Sequence, residues 1–292
     1  MEKRYHLTGM FLVLLAASLN GLLPLMITSV YTSGGHPTNI MFYKGVLLAP
    51  AALIICLATR QPLKITLKEN LSCLLLATLQ TGTSLLLFSS YNYLATGTAT
   101  TLHFFYPVAV LLITTVSFRE KSSGGEILGV LLCVIGVCVL SYSPDGSIHL
   151  FGVLIALLSA VCYAGYLVTL GKSSASKLRP MVMTFYIFLY NAMISLIVSL
   201  FAGTMKSGLT MHGWLVMVAC AFASGVVTVA LQKGIKRIGE KISSVFCVAE
   251  PLVSVIVGIM FMNEQFSIKT VLGTLLVISA AVIVSLTKKE QA

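Results

Sequence analysis

The sequence predicts an all-α membrane protein of ten transmembrane helices in two inverted five-helix repeats, with both termini cytoplasmic. Three observations predict it. The 292 residues are 57% apolar and 10% charged, and the mean hydropathy is +0.97, far outside the soluble globular class. The apolar residues fall in ten runs, most of them near the ~20 residues that cross a hydrocarbon core of about 30 Å at 1.5 Å per residue. Finally, the second half aligns on the first at an offset of 144 residues without an insertion, the mark of an internal repeat.

Helix 1, residues 7–30, follows a short basic segment as a signal peptide would. It is long and nine more runs follow it, so it reads as a retained membrane helix. Helix 2, 40–58, has Lys44 near its outer end; the stem is long enough to snorkel to the headgroups, the alternative being a contact with an anionic solute. Helix 3, 71–91, carries Gln80 and Ser84, and helix 4, 98–118, carries His103, Tyr106 and Pro107. Helix 5, 125–142, presents Gly125, Gly129, Cys133 and Gly136 as a ridge for close packing, within the bundle or in a homodimer. The second half repeats the series at 150–170, 182–202, 213–232, 242–262 and 270–286, with short connections throughout. A membrane barrel would alternate apolar and polar residues, whereas Leu150 to Leu170 stays apolar on consecutive positions.

The net charge of +10 invites a nucleic-acid reading, and its distribution excludes one. With the amino terminus inside, sixteen of the nineteen Lys and Arg residues lie in cytoplasmic segments; only Lys206 and Lys269 lie in outer loops, and Lys44 lies within a span. The positive-inside rule then places both termini in the cytoplasm, in a multi-pass protein of the cell (plasma) membrane. All seven cysteines fall inside spans, so no disulfide is expected. Metal-ligand spacings and a phosphate-binding Gly-rich loop are both missing from the sequence, so no cofactor is expected.

The repeat is clearest for Tyr106–Ser141 against Glu250–Ser285, where Pro107 meets Pro251, Glu120 meets Glu264, Ser123 meets Ser267 and Leu128-Gly129 meets Leu272-Gly273. Gly21 likewise meets Gly165. Five helices per half is an odd number, so the second half enters the membrane from the opposite side. Inverted repeats of this kind let two equivalent halves rock about a midplane site. These residues resemble the EamA type of the drug/metabolite transporter superfamily, in which each half ends with a helix holding a mid-span Pro, a short turn with a Glu, and a last helix opening near Leu-Gly. The resemblance covers the whole chain, as repeats 1–146 and 147–292. It implies a central cavity and export of a small metabolite, amino acid or drug by a secondary-active carrier, with import as the alternative direction.

Matched residues serve the fold first. Glu120 and Glu264 precede helices 5 and 10, where a carboxylate favours the positive helix end. Pro107 and Pro251 remove a mid-helix hydrogen bond, which kinks the helix for packing or frees a carbonyl toward a cavity. Gly129 and Gly273 belong to the same architectural set. The unmatched Glu250 lies near the midplane, where a charged side chain costs roughly 2.5 to 3.5 kcal/mol, so it should be protonated, hydrated or paired. Ser243, Cys247, Glu250, Ser254 and Gly258 form a small polar stripe on its helix, and His103 and Tyr106 occupy the equivalent stripe on helix 4. Glu250 is thus expected to contact a cationic group of the solute or a coupling proton, with His103 and Tyr106 completing the site. The rival readings are a carboxyl that donates to backbone beside Pro251 and a histidine satisfied by water at the outer interface. Gln80 and Ser84 correspond to Ser224 and Thr228, which line a pathway or form interhelical hydrogen bonds. Asn20, Tyr163 and Tyr166 flank the matched glycines and are too deep for interfacial anchors.

An integral membrane enzyme would need clustered carboxylates, a metal set or an activated nucleophile, and the nine acidic residues are scattered. A channel would call for pore-lining rings or a filter loop. The expected partners are a small solute, a coupling proton and membrane lipid.

Overall fold

The computed structural model describes residues 2–118, 124–141, 149–204, 208–247, 249–261 and 268–287. Among these residues there is no strand. The helices are α1 (Glu2–Thr32), α2 (Pro37–Ala58), α3 (Leu67–Ser90), α4 (Thr96–His103), α5 (Tyr106–Phe118), α6 (Gly124–Ser141), α7 (Leu150–Lys172), α8 (Pro180–Phe201), α9 (Met211–Phe246), α10 (Ala249–Phe261) and α11 (Ile268–Thr287). Seven spans are long and apolar enough to cross a membrane, and three shorter apolar helices, Ile127–Val139, Ala249–Phe261 and Ile268–Ala280, accompany them.

Local chemistry sets the helix starts. Pro37 and Pro180 open α2 and α8, where the missing N–H is an orphan anyway and the fixed φ suits the first turn. Thr66 and Glu69 form a capping box at α3, the Thr66 N–H donating to Glu69 Oε2 at 2.7 Å and the Glu69 N–H to Thr66 Oγ1 at 3.3 Å. Large apolar side chains such as Ile54, Leu131, Leu154, Ile197, Phe222 and Leu275 point outward, as suits a lipid solvent.

Two expected spans are interrupted. Helix 4 breaks at Phe104 and Phe105 and helix 9 breaks after Phe246. Pro107 and Pro251 therefore sit in the first turns of α5 and α10 instead of mid-helix. The cause lies in the ring: it cannot donate and it crowds the carbonyl four residues earlier, so the helix ends there and restarts at the proline. The connection expected at 233–241 is helical. A straight 36-residue helix would measure about 54 Å, yet the chain must double back. Gly213 packs on Ser33 and Gly234 on Val13, so α9 runs antiparallel to α1, while Gly21 of α1 touches the backbone of Glu250. Residue 250 is thus back at mid-depth after residue 234 has reached the far end of α1.

The packing pairs mirror one another. α1 lies on α9 as α7 lies on α3, α1 meets α10 as α7 meets α5, and α2 with α8 and α6 with α11 pair counterparts across the halves; α4 also meets α10. The small-residue ridge is spent inside the bundle, since a Cβ on Gly136 would sit 2.8 Å from Val277 of α11, and Gly129, Cys133 and Gly273 are buried. Glu120, Glu264, Ser123 and Ser267 lie outside the described residues.

Candidate functional site

A cavity of about 120 Å³ lies where the two halves meet. It is comparable to the roughly 150 Å³ engineered cavity that accepts benzene, so it has room for a small solute. Its wall includes Asn20 of α1, Lys44 of α2, Gln80 and Ser84 of α3, Thr100 and His103 of α4, Tyr163 and Tyr166 of α7, Ser224, Thr228 and Gln232 of α9, and Glu250 of α10.

Glu250 stands in the first turn of α10, at the positive end of a half-helix. It is 9% exposed. Its Oε2 accepts a long hydrogen bond of 3.4 Å from Asn20 Nδ2 across the bundle, near the outer limit for such a bond. This approach of α1 to α10 requires Gly21, where a Cβ would fall 2.6 Å from the Glu250 carbonyl oxygen and 2.7 Å from Val253. Its twin Gly165 meets Leu79 at an ordinary 3.4 Å.

His103 ends α4 at the break and is buried. Its Nδ1 and Ser159 Oγ share a hydrogen bond of 2.8 Å, so protein satisfies it rather than interfacial water. The His103 ring centroid lies 5.4 Å from Tyr163 and 5.9 Å from Tyr106, Tyr106 meets Tyr163 edge-on at 4.8 Å, and Tyr163 stacks on Tyr166 at 5.8 Å. These separations suit attractive aromatic pairing and give the cavity one stiff wall.

The structure brings Asn20, Gln80, His103, Tyr163, Tyr166 and Glu250 to the cavity surface. Tyr106 stands behind that surface as a support for His103 and Tyr163. Ser254 also lies behind it and donates to Thr100 Oγ1 at 3.1 Å, tying α10 to α4. Gln80 reaches the wall while an Asn191 amide of α8 bridges it and Thr81 at 2.8 and 2.9 Å. Ser224 and Thr228 donate to the carbonyls of Cys220 and Ser224 within their own helix.

Two wall residues are not singled out by the sequence pattern. Lys44 does not snorkel: it is 5% exposed and its ammonium lies 5.5 Å from the centroid of Phe88, within cation–π range. Its place on α2 aims it inward, so reach to the headgroups does not decide its environment. Gln232 is buried, and among the described residues neither its Oε1 nor its Nε2 has a partner, a state that costs about 1 to 3 kcal/mol for a buried polar group. Both break the repeat, Lys44 facing Phe188 and Gln232 facing Phe88 at the 144-residue offset. That asymmetry is the signal by which the sequence could have singled them out. Among the described residues no three His, Cys, Asp or Glu side chains group as metal ligands do.

Known proteins share this plan. A protein of known crystal structure matches with a TM-score of 0.69 over 98% of this chain and 99% of its own, at 17% identity, which speaks to fold alone. An uncharacterized transporter of Archaeoglobus fulgidus is 26% identical over 197 residues, 66% of this chain and 68% of that protein. The uncharacterized transporter YcbK of Bacillus subtilis is 24% identical over 267 residues, 83% of this chain and 81% of that protein. The sequence pattern of the EamA-like transporter family matches twice, over residues 7–142 and 150–286. This multi-pass membrane protein, with a cavity of mixed polar and apolar lining between two half-chains that each carry the family pattern, belongs to the EamA-like transporter family.

Proposed function

We propose that the chain is a secondary-active transporter that exports a small metabolite, amino acid or drug across the cell membrane by alternating access about this cavity. In this reading ten spans form two inverted repeats, residues 1–146 and 147–292, with both termini cytoplasmic. Glu250 binds a cationic group of the solute or a coupling proton, Asn20 and His103 line its approach, and Tyr106 holds His103 in place.

The observation that carries the proposal is the position of Glu250: a buried carboxylate on a cavity wall, in the first turn of a half-helix. Two interrupted helices, α4–α5 and α9–α10, meet there, and discontinuous helices at midplane are where secondary transporters place their sites. The mirrored packing pairs support two equivalent halves able to rock against each other. An intramembrane ionisable group at such a place marks a solute or proton path.

Reconstituted flux tests the reading. Saturable counterflow of one solute in proteoliposomes is the expected result, and an ohmic current without saturation would replace the carrier by a channel.

A further inference from the structure

Lys44 and Gln232 line the same cavity as Glu250, and so do Phe188 and Phe88, their counterparts in the opposite repeats. The fold therefore does not require a charge or an amide at either place, because each is filled by a phenyl ring in the other half. Both polar groups are nonetheless buried, at 5% and 6% exposure. The Phe88 ring, 5.5 Å from the Lys44 ammonium, is a weak replacement for water or a counter-charge. The Gln232 amide has neither donor nor acceptor satisfied among the described residues. Polar groups retained in a membrane-buried cavity, where the repeat shows that an apolar side chain fits, are contacts that a ligand completes.

Sign and depth describe that ligand. Gly21 touches the Glu250 backbone, which sets the depth of the carboxylate on α1, while Lys44 lies in the second turn of α2. At 1.5 Å per residue, Gly21 is ~16 Å from the Thr32 end of α1 and Lys44 is ~10 Å from the Pro37 end of α2. These two ends meet in the short connection between the helices. The backbone positions that carry cation and carboxylate are thus offset by ~6 Å along the helix axes, and both side chains line one cavity. A solute with a single charge would engage one group and leave the other buried without a counter-charge.

We propose that the cargo is a small zwitterion whose anionic group is bound by Lys44 and whose cationic group is bound by Glu250, with Gln232 hydrogen-bonding to its polar body. This rests on the transporter reading above and adds the charge pattern of the solute. The cavity of about 120 Å³ limits a solute that it encloses to about the size of benzene.

Thermal-shift titration of the purified full chain in detergent tests the charge pattern with three probes on one four-carbon chain: 4-aminobutyrate, butylamine and butyrate. The zwitterion is expected to protect the wild type at a concentration at least tenfold below either singly charged probe. Lys44→Met should erase its advantage over butylamine, Lys44→Arg should keep it, and Gln232→Leu should weaken the zwitterion several-fold. Equal protection by a singly charged probe, no protection by any probe, or an advantage that survives Lys44→Met would each overturn the proposal. Lys44→Arg guards against a result caused by misfolding. Counterflow of a broad solute panel in proteoliposomes separates the two readings. Saturable exchange that ignores solute charge sinks the zwitterion and leaves the transporter, whereas no saturable exchange of any solute sinks both.

Discussion

Alanine placed at the twin glycines Gly21 and Gly165 gives a matched test of how the site is held. Both lie inside long helices, so the general gain of Ala over Gly in a helix, about 0.5–1 kcal/mol, cancels between them. What remains is the difference in space. A Cβ at Gly21 would sit 2.6 Å from the Glu250 carbonyl oxygen and 2.7 Å from Val253 Cβ, distances that backbone must relieve, whereas the nearest atom at Gly165 is a Leu79 methyl at 3.4 Å. Overpacking of this kind costs typically 1–3 kcal/mol. Gly21→Ala is therefore expected to be less stable than Gly165→Ala by about 1–3 kcal/mol, read as a lower thermal midpoint of the purified protein in detergent. Because α10 must move to make room, Gly21→Ala should also reduce solute counterflow more than Gly165→Ala does. Equal midpoints, or a Gly21→Ala protein as stable as its twin, would refute the close approach of α1 to Glu250.

Other outcomes follow from the same geometry. Ser159→Ala leaves a buried His103 nitrogen without its partner and should cost about 1–3 kcal/mol, with reduced flux because the aromatic wall loosens. Ser254→Ala removes one α10–α4 hydrogen bond and should cost only about 0.6 kcal/mol, with flux retained; a tenfold loss of flux would move Ser254 into the binding surface. In a cysteine-free background, a membrane-impermeant maleimide applied to intact cells should label Thr210→Cys and spare Lys64→Cys. The reverse pattern would invert the proposed orientation.

Glu250 stands out in the sequence because a lone carboxylate in an apolar run is costly at mid-depth. The interruptions of α4–α5 and α9–α10 were half legible: Pro107 and Pro251 announced a disturbance, but a proline acts on the turn before it, so each break falls ahead of the ring. For Lys44 the sequence leaves the headgroups and a solute contact both open, because depth along a helix says nothing about which way the side chain points; the packing of α2 on α8 and α9 turns it inward. Gln232 is the last residue of the predicted span 213–232, beside Lys233, where an amide draws no notice. In the fold the helix continues past it and buries the amide. The hydrogen bond of Ser254 to Thr100 depends on which neighbour α10 meets, which spacing along one chain does not encode.

The measurement that bears most directly on the account is counterflow by the Glu250→Gln protein in proteoliposomes, over a range of pH and at matched protein content. Gln keeps the shape and the Asn20 contact while removing the charge. The account predicts at least a tenfold loss of flux together with loss of the wild-type pH dependence. Wild-type flux with an unchanged pH profile would contradict it.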